Sequence, residues 1–161
     1  MYIEDLSPYP FPSLAHLPLL AVGWLDGKHN FQRGSPPRNL LIGLENYIKY
    51  SIVQTLGRHK CNICPEDHFF DITLPNCPPL NLGSSEFIVF SPNGDRAYIA
   101  PNLIYHYTHD CEYLPPQEFL DGILNGPSPG SQKYLDYCFH WFKDVSVWLH
   151  NDLTGEMVFR S

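Results

Sequence analysis

Glu86-Phe87-Ile88-Val89-Phe90-Ser91-Pro92-Asn93-Gly94-Asp95-Arg96-Ala97-Tyr98-Ile99-Ala100 is the stretch on which the fold turns. Two apolar runs flank Asn93-Gly94, a dipeptide that reaches positive φ at low steric cost, so the stretch predicts a β-hairpin over about 86–100. On either side the apolar spacing changes from two to between three and four. Leu40, Leu41, Leu44, Tyr47 and Ile48 follow Ser35-Pro36-Pro37. This predicts a helix capped by Ser35, with Pro36 at its first position, running to about Tyr50. Beyond the hairpin, Pro101-Asn102 opens a short helix to His109, and Leu114-Pro115-Pro116 opens another that Gly126 stops after Asn125. The expected class is α+β, a small antiparallel sheet packed with three or four helices.

The rest of the chain fits around that frame. Residues 1–18 are punctuated by proline and predict an extended strap, with Pro8, Pro10 and Pro12 fixing φ while Tyr9 and Phe11 pack. Leu19 to Leu25 reads as a strand ended by Asp26-Gly27, and Phe69 to Leu74 as another. Ile52 and Val53 either prolong the first helix or begin a strand. Gly126-Pro-Ser-Pro-Gly-Ser131 is a connector. After it Tyr134, Cys138, Trp141, Phe142, Val145 and Trp148 recur at helical spacing behind a Ser131 cap. Met157-Val158-Phe159 adds a last strand after a turn at Thr154-Gly155. The expected organisation is an α+β domain over 1–125 and a C-terminal helical extension over 126–161 packed on it.

With 161 residues, 43% hydrophobic and 17% charged, the chain is long and apolar enough to fold as one domain. Aromatics at 14% point to a core rich in Tyr and Phe. A net charge of -7 with no cluster of Lys and Arg argues against a nucleic-acid partner, whose phosphates need such a cluster. The same acidity suits either a solvated surface or a basic protein partner. Met1-Tyr2-Ile3-Glu4-Asp5 is acidic where a secretory signal is basic, and no apolar run approaches the about 18 residues of a membrane span. Five cysteines, an odd number, suggest thiols kept reduced or held by metal. The expected location is the cytoplasm.

The chemistry concentrates in His59-Lys60-Cys61-Asn62-Ile63-Cys64. Cys61 and Cys64 suit a tight turn whose thiolates converge on one cation, and His59 shares the face of Cys61 if that approach is extended. Structural zinc takes four protein ligands, so His59, Cys61 and Cys64 need one more from His106, Cys77, Cys111 or His68, or a water. His106 fits best, because its helix follows the hairpin directly and folds back against the cysteine turn. On that helix Asn102, His106, His109 and Asp110 share a polar sector, a solvated face or a catalytic pair. Known enzyme patterns are missing: no His-Glu-x-x-His, no zinc-deaminase signature, no Gly-x-Ser-x-Gly and no phosphate-binding glycine loop. A redox use of Cys61 and Cys64 is disfavoured by Pro65-Glu66-Asp67, whose acids oppose a thiolate.

Asp5-Leu6-Ser7-Pro8-Tyr9, Val22-Gly23-Trp24-Leu25-Asp26, His59-x-Cys61-x2-Cys64, Ala100-Pro101-x-Leu103-Ile104-Tyr105-His106-Tyr107 and Tyr113-x-Pro115-Pro116-x2-Phe119 together resemble a family of small, mostly bacterial proteins of unknown function. The resemblance spans about residues 2–125. It implies a shared fold and a shared site that joins the cysteine turn to the His106 helix, with no implied reaction. The resulting expectation is a non-catalytic, protein-binding domain with a structural zinc at His59, Cys61, Cys64 and His106. A toxin-immunity role with a basic toxin as partner is one form of it. The alternatives are a zinc hydrolase with an open position and His109 or Asp110 as base, and a Cys-x2-Cys redox protein.

Overall fold

In the computed structural model, residues 1–11, 18–50, 53–55, 57–65, 68–142, 149–151 and 156–158 are described. Their elements, in chain order, are β1 (Leu20–Ala21), α1 (Arg38–Ile48), β2 (Val53–Gln54), β3 (Asp71–Ile72), β4 (Leu80–Asn81), β5 (Ser85–Phe90), β6 (Ala97–Pro101), α2 (Ile104–Asp110), α3 (Gln117–Asn125), α4 (Gln132–Trp141), β7 (Leu149–Asn151) and β8 (Glu156–Val158). The class is α+β, as the sequence predicts.

β5 and β6 form the hairpin, with Ile88 opposite Ile99 and Gly94 at φ 75° in the turn. They are the centre of a four-stranded sheet ordered β1-β6-β5-β2. β2 is antiparallel to β5, but β1 runs parallel to β6, so the sheet is mixed rather than purely antiparallel. Every residue of β5 is buried, because packed elements cover both of its faces. Phe87 meets Tyr47 of α1 at 5.8 Å between ring centroids, and Phe90 meets Tyr134 of α4 at 5.3 Å. The Tyr134 hydroxyl donates to the Ile88 carbonyl at 2.8 Å, which ties α4 to the hairpin and satisfies a buried phenol.

Several element boundaries differ from expectation for identifiable reasons. α1 begins at Arg38, not Pro36, and Pro37 is an extended cap residue with no side-chain cap. Pro36 precedes another proline, and the clash with the following ring excludes it from helical geometry. Its buried stripe is Leu40, Leu44, Tyr47 and Ile48. The strand read over Leu19–Leu25 narrows to two residues, since the Gly23 N–H goes to the Asp5 carboxylate at 2.9 Å instead of a ladder. The strap lies along it: Leu6 N–H donates to Ala21 O at 2.8 Å, and Ala21 N–H to Ser7 O at 2.9 Å.

α2 starts at Ile104 because Pro101 closes β6 and the Asn102 side chain is used elsewhere, as described below. α3 ends at Gly126 as predicted, although that glycine is extended (φ −75°, ψ 177°) and not left-handed. Space decides there: a Cβ would overlap the carbonyl oxygens of Gly122 and Phe90. Ser131 caps α4 by accepting from Tyr134 N–H at 3.2 Å. Val145 and Trp148, Pro12, the Thr154-Gly155 turn and Phe159 lie outside the described residues. β8 pairs with β7, and β3 with β4, in separate two-stranded sheets.

Candidate metal centre

Two segments far apart in sequence supply the site. The first, 58–65, follows β2 and is held by the His59 backbone and the Arg58 side chain. His59 N–H donates to Gly83 O at 2.8 Å, and Arg58 donates to Leu82 O at 3.0 Å and also to Phe70 O and Asp71. Gly83, at φ 87°, lets the two backbones approach so closely that a Cβ would overlap the His59 carbonyl. At the turn itself the Cys61 sulfur accepts N–H bonds from Ile63 and Cys64, both at 3.3 Å. Such bonds favour the thiolate over the thiol.

The second segment is α2 and the residue after it. Asn102 is buried and fastens the helix start to the strand before the hairpin. It accepts from Gly83 N–H at 2.6 Å, donates its side-chain amide to Asn81 O at 3.0 Å, and donates its own backbone N–H to Ser85 O at 2.8 Å. Gly83 therefore contacts both segments, through His59 on one side and Asn102 on the other. His106 on α2 is 2% exposed, and Phe70 stacks on its ring at 3.6 Å between centroids. Cys111 is the residue that ends α2, with φ −105° and ψ 9°. Beyond it Glu112 at φ 57° turns the chain into a bridge with Arg33, whose guanidinium donates to Cys111 O at 3.1 Å.

Cys61, Cys64, His106 and Cys111 bring one ligand atom each to within 4.8 Å of all the others. Cys64 Sγ is 3.3 Å from His106 Nε2 and 3.4 Å from Cys111 Sγ, and Cys111 Sγ is 3.7 Å from Nε2. Tetrahedral bonds of about 2.0–2.3 Å place donor atoms about 3.5–3.8 Å apart, close to these separations. His106 Nδ1 donates to Asp110 Oδ2 at 2.7 Å, which leaves the Nε2 lone pair facing the sulfurs. Asp110 Oδ1 accepts from His109 Nδ1, also at 2.7 Å.

The Cys61 thiol is lowered to about 3, first by hydrogen bonding from Cys111 and against the effect of burial. Cys111 is raised by giving that same bond and by burial, and Cys64 is raised mainly by burial. Burial opposes the imidazolium of His106, but bonds to Cys61 and Asp110 outweigh it and raise its pKa. Three thiols this close cannot all ionise beside one another unless a cation compensates them. The donor set, three sulfurs and one imidazole, is one a metal ion can bind.

Of the four ligands expected from sequence, the structure brings Cys61, Cys64 and His106 together and does not bring in His59. His59 lines a neighbouring cavity with Lys60 and Glu86. Cys111, one of the alternatives for the fourth place, completes the group. Its signal in the sequence is a sulfur five residues after His106, where a helix that ends in time turns both toward one point. His68 is exposed against Phe70, and Cys77 lines a separate cavity with Tyr50 and Asn76. None of the five cysteines is in a disulfide.

An α+β domain with a closed cluster of three cysteines and one histidine is the class this fold and site define. Residues 1–124 match the family model described as a domain of unknown function, DUF7919, and the chain belongs to that family. No curated protein and no solved structure matches it. The match ends within α3, so α4 and the strands after it follow the matched region. Among the described residues no helix is long and apolar enough to cross a membrane.

Proposed function

We propose that the chain is a non-catalytic protein-interaction domain whose fold is tied by a structural zinc ion at Cys61, Cys64, His106 and Cys111. The observation that supports this most is the four-donor group itself, built from two segments and largely buried. Zinc suits a tetrahedron of sulfur and imidazole, and four protein donors leave no position for the water a hydrolase needs. The metal's contribution is to folding, because a site present only in the folded chain adds its binding free energy to stability. Residues 126–142 then form one unit with the preceding domain, since Tyr134, Cys138 and Trp141 share the core of the hairpin.

The partner that best suits a chain of net charge -7 is a basic protein, of which a toxin held by an immunity-type domain is one example. Thiols that bind metal without pairing fit a reducing compartment such as the cytoplasm.

Elemental analysis of protein purified without added metal tests the reading. One zinc per chain is expected, lost in Cys61→Ser together with a fall in melting temperature. A Cys61→Ser protein with unchanged metal content and melting temperature would overturn it. A reversible Cys61–Cys64 disulfide in a metal-free protein would point to redox chemistry instead.

A further inference from the structure

Next to the metal loop, a cavity of about 50 Å³ opens between the N-terminal segment, residues 59–62 and β5. Glu86 lines it and is only 6% exposed. Among the described residues its partner is the Tyr9 hydroxyl, which lies 2.9 Å from one carboxylate oxygen and 3.1 Å from the other. A carboxylate offers about four lone-pair positions, and one hydroxyl proton serves only one of them. Burying an ionised carboxylate without a cation is costly, and burial accordingly raises the Glu86 pKa. Trp24 lines the same cavity, and its indole N–H is buried without an acceptor among the described residues. Among the described residues both of these polar groups are incompletely met.

The remaining lining narrows the chemistry of the missing partner. Thr55 and Asn62 line it as neutral polar residues, and the Thr55 hydroxyl proton is already given to Gly57 O at 3.0 Å. Lys60 lines the cavity too, but its ammonium sits 5.1 Å above the Phe69 ring. One carboxylate beside a lysine is too little charge for a divalent cation. The Tyr9 hydroxyl lies against both Glu86 carboxylate oxygens, on the edge that a planar guanidinium fork would pair, whereas an ammonium is a compact charge that needs only one of them.

We propose that this cavity is a binding site for a primary ammonium group, with the Glu86 carboxylate as its counter-charge. The group is carried either by a free small amine or by a lysine side chain of a basic partner. The site goes beyond the zinc reading, and the two stand or fall separately.

The test is a titration of the ¹⁵N-labelled chain as purified, at fixed ionic strength, followed at the Trp24 indole resonance, which Trp24→Phe identifies. n-Propylammonium is expected to shift it saturably, n-propanol to leave it in place, and Glu86→Gln to weaken the amine by about tenfold or more. Nα-acetyl-lysine-N-methylamide distinguishes the sources. Binding like that of the amine indicates a partner's lysine, and its failure beside a binding amine indicates a free small amine. A response equal for amine and alcohol, no saturable shift with either, or wild-type affinity in Glu86→Gln would show a cavity that holds water only. The comparison of amine with alcohol decides the matter on wild-type protein even if Glu86→Gln fails to fold. Metal content measured on the same sample keeps a failure of the zinc site apart from a failure of this one.

Discussion

Asp110 accepts a hydrogen bond from His106 Nδ1 at 2.7 Å, one helical turn after it on α2, while His106 Nε2 faces the sulfurs of Cys64 and Cys111. The carboxylate holds the imidazole in the tautomer that presents Nε2 and raises its basicity as a ligand. Asp110→Asn is expected to weaken metal binding by about 10- to 100-fold while the loaded protein keeps its fold. Competition with a chromophoric chelator measures this, and unchanged affinity would reduce Asp110 to a surface residue.

The donor group predicts which single substitutions remove metal. Cys111→Ser should lose the ion and melt at a lower temperature, because a hydroxyl is a poor zinc ligand and the remaining thiols are left uncompensated. His59→Ala should retain a full equivalent, since His59 is not among the four clustered donors and its backbone N–H goes to Gly83 O. Metal-to-protein ratios for the two variants give the answer, and the opposite pattern would restore His59 to the ligand set.

Asp5 gives a pH signature. It accepts from Gly23 N–H at 2.9 Å and from the Tyr113 hydroxyl at 2.8 Å, yet burial outweighs both bonds and raises its pKa above 3.8. A folded pKa above the unfolded one means that the group's stabilising contribution is full below the unfolded value and is lost as pH rises through the folded value. Asp5→Asn keeps an oxygen for Gly23 and removes the charge. Relative to wild type it should gain stability from about pH 4 to pH 7, read as a difference in denaturation midpoint. A difference that does not vary with pH would contradict the assignment.

Gly83→Ala should destabilise the fold by roughly 1–3 kcal/mol, through a left-handed backbone and overlap with the His59 carbonyl. Because Gly83 also donates to Asn102, metal affinity should fall with it. Urea denaturation and chelator competition on one preparation measure both effects, and wild-type values in both would show that the two segments do not depend on this contact.

Tyr134→Ala should cost about 3–5 kcal/mol, since the ring is fully buried against Phe90 and Tyr47 and its hydroxyl serves Ile88. The loss should appear in a single unfolding transition shared with the hairpin. A separate low-temperature transition would mean that α4 folds apart from the region matched by the family.

Much of the fold was legible because local rules dictated it. Asn93-Gly94 between two apolar runs makes the hairpin, Pro116 and Gly126 bracket α3, and Ser131 caps α4 through its own hydroxyl. The adjacent proline that displaced the start of α1 was also local, and reading Pro36 against Pro37 would have found it. β4 and the parallel pairing of β1 with β6 were not legible. Two-residue strands carry no periodicity, and their direction depends on which neighbour the chain meets after folding.

The candidate metal centre divides along the same line. Cys61-x2-Cys64 announces a convergent pair of thiols by spacing alone, and His106 follows from a helix placed directly after a hairpin. That the group holds Cys111 as well as His106, and not His59, depended on contacts between residues far apart in the chain: Gly83 drawing His59 into the backbone of another loop, and α2 ending at Asp110 so that the next side chain faces the cysteine turn. Residue type and local spacing determined that this chain carries soft ligands on an α+β scaffold. Tertiary packing decided which of them meet, because three-dimensional proximity of distant residues is set by the whole core and not by any segment of it.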